Sequence, residues 1–136
     1  MINRKTDDVI RLSFDHKPEI PEEKAYIEKN NGYVENGRVN GILAVSRCLG
    51  DATLSDVINP TPSIVTQPID ANDEYILIFG CDGLWDVITD QGAANLVKPE
   101  IDPMLAARKL RDSALNAGST DNISVVVVFI SGIDED

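Results

Sequence analysis

The sequence predicts an α+β fold, and three observations carry that prediction. Tyr75-Ile76-Leu77-Ile78-Phe79 is a short continuous apolar run, as buried strands are. Residues 123–130 form a second run, rich in β-branched valine and isoleucine. Between them, residues 103–117 place Met104, Ala107, Leu110, Ala114 and Leu115 on one helical face. Helices that separate two strands and return the chain to its starting end make those strands antiparallel.

The remaining elements follow in order. Pro21-Glu22-Glu23 opens a helix: proline suits the first helical position, and acids suit the positive end of the dipole. Asn31-Gly32 ends it, because both residues tolerate the left-handed conformation. Tyr33-Val34-Glu35-Asn36-Gly37-Arg38-Val39 reads as a hairpin turning at Asn-Gly. Residues 41–51 are mixed and irregular. Residues 63–67, bounded by Pro62 and Pro68, form a further strand. A short helix covers residues 91–97, and Lys98-Pro99-Glu100 separates it from the longer one. Asp90 and Asp102 read as turn formers or helix caps, Asp102 as an N-cap before Pro103. Trp85 reads as core packing.

Length and composition bound the function. A chain of 136 residues fits one domain, and 43% hydrophobic with 26% charged residues is ordinary globular composition. The formal charge of -11 repels nucleic acid and anionic membrane surfaces, so neither is expected as a partner. Cys48 and Cys81, each beside apolar residues, read as two buried thiols in a reducing compartment. The start, Met1-Ile2-Asn3-Arg4-Lys5-Thr6, lacks the apolar stretch of a signal peptide. The run Val125 to Ile130 is too short to span a bilayer. The expected location is cytoplasmic or nuclear.

Two aspartates stand out by position. Asp82 follows the first apolar strand in Gly80-Cys81-Asp82-Gly83, and Asp121 precedes the second in Gly118-Ser119-Thr120-Asp121-Asn122. Antiparallel strands would bring both carboxylates to one end of the sheet. Two carboxylates ~4 Å apart repel by ~1 kcal/mol in water and ~4 kcal/mol at an effective dielectric of about 20. A divalent cation removes that cost, and oxygen ligands suit Mg2+ or Mn2+. Gly83 would let the backbone turn sharply there. Asp86, four residues after Asp82, joins the cluster if the chain is helical after Gly83. For either aspartate alone, a turn or cap role is the simpler reading.

Four segments tip the balance. Leu12-Ser13-Phe14-Asp15-His16-Lys17-Pro18 is the first, and Gly37-Arg38-Val39-Asn40-Gly41-Ile42-Leu43-Ala44-Val45-Ser46-Arg47-Cys48-Leu49-Gly50-Asp51 the second. The others are Gly80-Cys81-Asp82-Gly83-Leu84-Trp85-Asp86-Val87 and Gly118-Ser119-Thr120-Asp121-Asn122-Ile123-Ser124. In content and order they resemble the metal-dependent protein phosphatases of the type 2C group, over nearly the whole chain. The resemblance implies part of an antiparallel β-sandwich flanked by helices, with residues 1–136 as the C-terminal part of the phosphatase domain. It implies dephosphorylation of phosphoserine or phosphothreonine in protein substrates, with water activated by Mg2+ or Mn2+ attacking phosphorus. By the match, Asp82 and Asp121 are metal ligands, and Asp86 helps hold an additional, weaker metal. Asn122 would orient Asp121.

The departures matter as much. The family's Asp-Gly-His-Gly segment, with its metal-bridging aspartate, is missing. So are its phosphate-binding arginine and an acidic pair. His16, the only histidine, lies in the Asp-His-Lys-Pro segment and is read as structural. Arg38 and Arg47 match family positions without an assigned catalytic role. The resemblance therefore places the N-terminal half outside this sequence, and self-association or pairing with that half is expected. A truncated, inactive module that binds partners or metal is the alternative. A haloacid-dehalogenase-type phosphatase is a third reading, disfavoured because Gly80 stands where its nucleophilic aspartate would be.

Overall fold

The computed structural model describes residues 1–131. They form two compact units: Met1–Leu12 together with the chain from Gln67 onward, and Ser13–Thr66.

The first unit is an antiparallel sheet with helices packed against it. Strand β1 (Ile2–Asn3) pairs with β4 (Tyr75–Gly80), which pairs with β5 (Val125–Ile130). The register runs from Tyr75 opposite Ile130 to Gly80 opposite Val125, so β4 ends where β5 begins. Three helices connect these two strands: α2 (Asp82–Trp85), α3 (Asp90–Val97) and α4 (Pro103–Asn116). One sheet face meets them in a core of Ile2, Ile76, Leu84, Val97, Leu110 and Val127, with small alanines from α3 and α4 between.

Several helix signals act where expected. Asp102 caps α4 by accepting from Met104 N–H at 2.7 Å, and Pro103 opens the helix. The cap of α3 is Thr89, not Asp90: its hydroxyl accepts from Gly92 N–H at 3.1 Å. Asp90 is freed for Arg11, which binds it through two nitrogens at 2.9 and 2.7 Å. The predicted face of α4 is displaced. Ala106, Leu110 and Ala114 are buried, whereas Met104 and Leu115 are exposed. The i, i+4 stripe that fits closely under the sheet sets Leu110 between two alanines, and Met104 and Leu115 flank it. The two apolar strands are likewise covered on one face only. Phe79 is 57% exposed, and Val126 and Val128 are 57% and 40% exposed.

The second unit holds α1 (Pro21–Lys29) and the hairpin of β2 (Val34–Glu35) and β3 (Arg38–Val39). Asn36 and Gly37, with φ of 51° and 72°, make the left-handed pair that a tight hairpin turn demands. Asn31 ends α1 at φ 64°, and Gly32 N–H returns to Ile27 C=O at 2.9 Å. Residues 63–67 form no strand: they are exposed and lack a ladder partner. Flanking prolines bias their neighbours toward extended backbone, but extension without pairing is not a sheet.

The unit's buried polar centre is Glu23, on the first turn of α1. Its side chain is 5% exposed and accepts from Arg47 Nε at 2.9 and 3.1 Å, and from Arg47 Nη2. His16 Nδ1 lies 3.0 Å from Glu23 Oε1, and His16 Nε2 lies 3.1 Å from Ser63 Oγ. The structural reading of His16 fits these contacts, and Arg47 gains a role the sequence did not show. Arg47 also donates to Thr61 C=O at 2.9 Å, so one guanidinium joins α1 to a loop.

Candidate metal centre

The end of the β4–β5 ladder carries the acidic residues. Cys81 leaves β4 extended and precedes α2, which begins at Asp82. On the other strand, Asp121 and Asn122 lie just before β5. The backbone ladder continues past the strands, with Cys81 N–H donating to Ser124 C=O at 3.2 Å. Antiparallel pairing thus brings the Asp82 and Asp121 loops side by side, as the sequence predicted.

Side chains fasten the two loops together. Ser119 Oγ–H donates to Gly83 C=O at 2.7 Å, and Cys81 Sγ–H donates to Asn122 C=O at 3.0 Å. Gly83 is needed for a reason other than the one expected. It is not among the glycines with positive φ. Instead, a Cβ at this position would lie 2.3 Å from Asn122 O, closer than any side chain could stand. The glycine is there so that two backbones can touch.

Asp82 and Asp121 are both exposed, and each uses one oxygen locally. Asp82 Oδ1 accepts from Gly83 N–H at 3.0 Å, and Asp121 Oδ1 from Asn122 N–H at 2.6 Å. These bonds hold one oxygen of each carboxylate. Asp86 follows one helical turn after Asp82, its N–H donating to Asp82 C=O at 2.9 Å. It is exposed as well. Among the described residues, no three His, Cys, Asp or Glu side chains gather into a group able to hold a metal. The chemistry of the donor set fits a hard divalent cation, while the number of gathered donors falls short of a closed site. Asn122 reaches Asp121 through its backbone N–H, not its side chain, which narrows its predicted orienting role.

Trp85 packs partly against the core and donates its Nε1–H to Gly80 C=O at 3.0 Å, bracing the turn beneath Asp82. The thiols are less enclosed than predicted: Cys48 and Cys81 are free and both partly exposed. Apolar neighbours in the sequence predict buried thiols, but each cysteine lies in a loop rather than within an element.

An antiparallel sheet backed by helices, with acidic loops joined at one end, is an arrangement similar to that of solved phosphatases. The family described as Protein phosphatase 2C matches residues 1–123, and the chain belongs to that family. Protein phosphatase 2C homolog 1 of Saccharomyces cerevisiae is 43% identical over 121 residues, covering 89% of this chain and 43% of its own length. Protein phosphatase 2C homolog 1 of Schizosaccharomyces pombe is 41% identical over 123 residues, covering 90% and 35%. The crystal structure of a phosphatase from a pathogenic strain of Toxoplasma gondii matches with a TM-score of 0.80 at 30% identity, over 90% of this chain and 42% of that one. The chain thus spans less than half the length of these relatives.

Proposed function

We propose that this chain forms part of a domain that removes phosphate from phosphoserine and phosphothreonine in protein substrates, using Mg2+ or Mn2+. The observation that carries the reading is the juncture of the Asp82 and Asp121 loops, at the end of the β4–β5 ladder, in a chain of the type 2C family. Asp82 and Asp121 would hold the cation, and Asp86 would contribute to a further, weaker one. A divalent cation held there would supply water of lowered pKa and offset phosphate charge.

The chain's own residues position and orient. The Gly83 and Asn122 backbones fix the spacing of the loops, and local N–H donors orient Asp82 and Asp121. The bridging aspartate and phosphate-binding arginine that the family implies are not among the motifs of this sequence.

The test is a titration of the chain with Mn2+ by calorimetry. Binding weaker than micromolar is expected, because few carboxylates gather. Asp82→Asn and Asp121→Asn should each abolish most of it. Unchanged affinity in both variants removes the metal assignment. Mixing the chain with the N-terminal half of a full-length relative should yield Mn2+-dependent turnover of a phosphoserine peptide.

A further inference from the structure

We propose that Cys81 is a positioning residue of this centre: its thiol holds the Asp121 loop in register with Asp82. The inference rests on the reading of Asp82 and Asp121 as cation ligands.

The geometry uses both capacities of the thiol. Sγ–H donates to Asn122 C=O at 3.0 Å, and Ser124 N–H donates to Sγ at 3.2 Å. With the backbone bond to Ser124 C=O, one residue makes three bonds across to the other loop. Cys81 is the immediate neighbour of Asp82, and Asn122 that of Asp121. Asn122 N–H in turn holds Asp121 Oδ1 at 2.6 Å. The thiol therefore links the residues that adjoin both carboxylates. On the far side of Asp82, the Ser119 hydroxyl on Gly83 C=O completes the clasp.

This sulfur lies outside the apolar core cluster of the unit. Its bonds join loops, not layers. Removing them should loosen the spacing of the carboxylates while the packed sheet and helices stay intact. Such supporting groups typically change metal affinity about 10–100-fold.

The experiment is a Mn2+ titration of the full chain, read by the electron paramagnetic resonance of free Mn2+. Amide hydrogen exchange at Ser124 is followed in parallel without metal. Cys81→Ala should weaken Mn2+ by about 10-fold and speed exchange at Ser124. Cys81→Val, which fills the space left by the sulfur but drops both bonds, should do the same and serves if the alanine variant does not fold. Cys81→Ser, whose hydroxyl can donate and accept, should restore most of the affinity. Cys48→Ala should match the native chain. Native affinity in both Cys81→Ala and Cys81→Val, with Asp82→Asn still abolishing binding, overturns the positioning role and leaves the cation reading standing. Binding unchanged by both Asp82→Asn and Asp121→Asn overturns the two together.

Discussion

Glu23 shows how much one buried carboxylate can carry. The Arg47 guanidinium, with His16 assisting, holds its pKa down from the ordinary 4.5 to about 2, against the opposing effect of burial. The ion pair is therefore a folded-state stabiliser, and the sign follows from linkage. A carboxylate of depressed pKa stabilises the fold fully above its unfolded value. That stability is lost as pH falls from 4.5 toward about 2. The shift corresponds to about 3 kcal/mol at neutral pH. Denaturant unfolding of the Ser13–Thr66 unit should lose stability across that window in the native chain and much less in Glu23→Gln. Arg47→Ala should cost about 3–5 kcal/mol at neutral pH, because it strands a buried charge. Arg47→Lys should recover only part, since an ammonium cannot span Glu23 and Thr61 C=O together.

At the scale of the element, α2 is only four residues long and is specified by its neighbours more than by its own propensity. Gly83 illustrates the balance. Alanine there would gain about 1 kcal/mol in helix propensity. Its Cβ, however, would stand 2.3 Å from Asn122 O, a backbone atom that cannot rotate away. Overpacking of this kind costs about 1–3 kcal/mol, so the clash wins. Gly83→Ala should lower the thermal midpoint despite sitting in a helix. A raised midpoint would show that the Asn122 loop yields freely.

At the scale of the whole molecule, the sheet of the first unit leaves one face apolar and open. Phe79, Val126 and Val128 lie exposed on it, and β5 is an edge strand among the described residues. Such faces recruit other chains. The charge of -11 opposes association but is screened at physiological salt. Sedimentation should show a mass that rises with concentration and with salt; a concentration-independent monomer at both salt levels contradicts this. Hydrolysis is a separate matter. With few gathered carboxylates and no Asp-Gly-His-Gly segment in the sequence, the chain alone should turn over an aryl phosphate near background with Mn2+. Losing a single electrostatic contact at such a site costs about 10²–10³ in rate, and several are missing. A second identical copy lacks the same groups. Robust turnover, lost in Asp82→Asn, would overturn that expectation.

Local chemistry in the sequence determined the elements whose causes are local. The Asn36-Gly37 turn, the Asp102 cap with Pro103 and the apolar runs of β4 and β5 all act within a few residues. The order of strand, helices and strand also foretold that Asp82 and Asp121 share one end of a sheet. Tertiary structure decided what depends on distant partners. It chose Ala106, Leu110 and Ala114 as the buried stripe of α4, because only neighbouring elements set the available space. It made Gly83 obligatory through a backbone 39 positions away, at Asn122. It gave Arg47 to Glu23 and left residues 63–67 without a strand. Propensity is a property of neighbours in the chain, whereas packing, pairing and charge compensation belong to neighbours in space, which the sequence does not order.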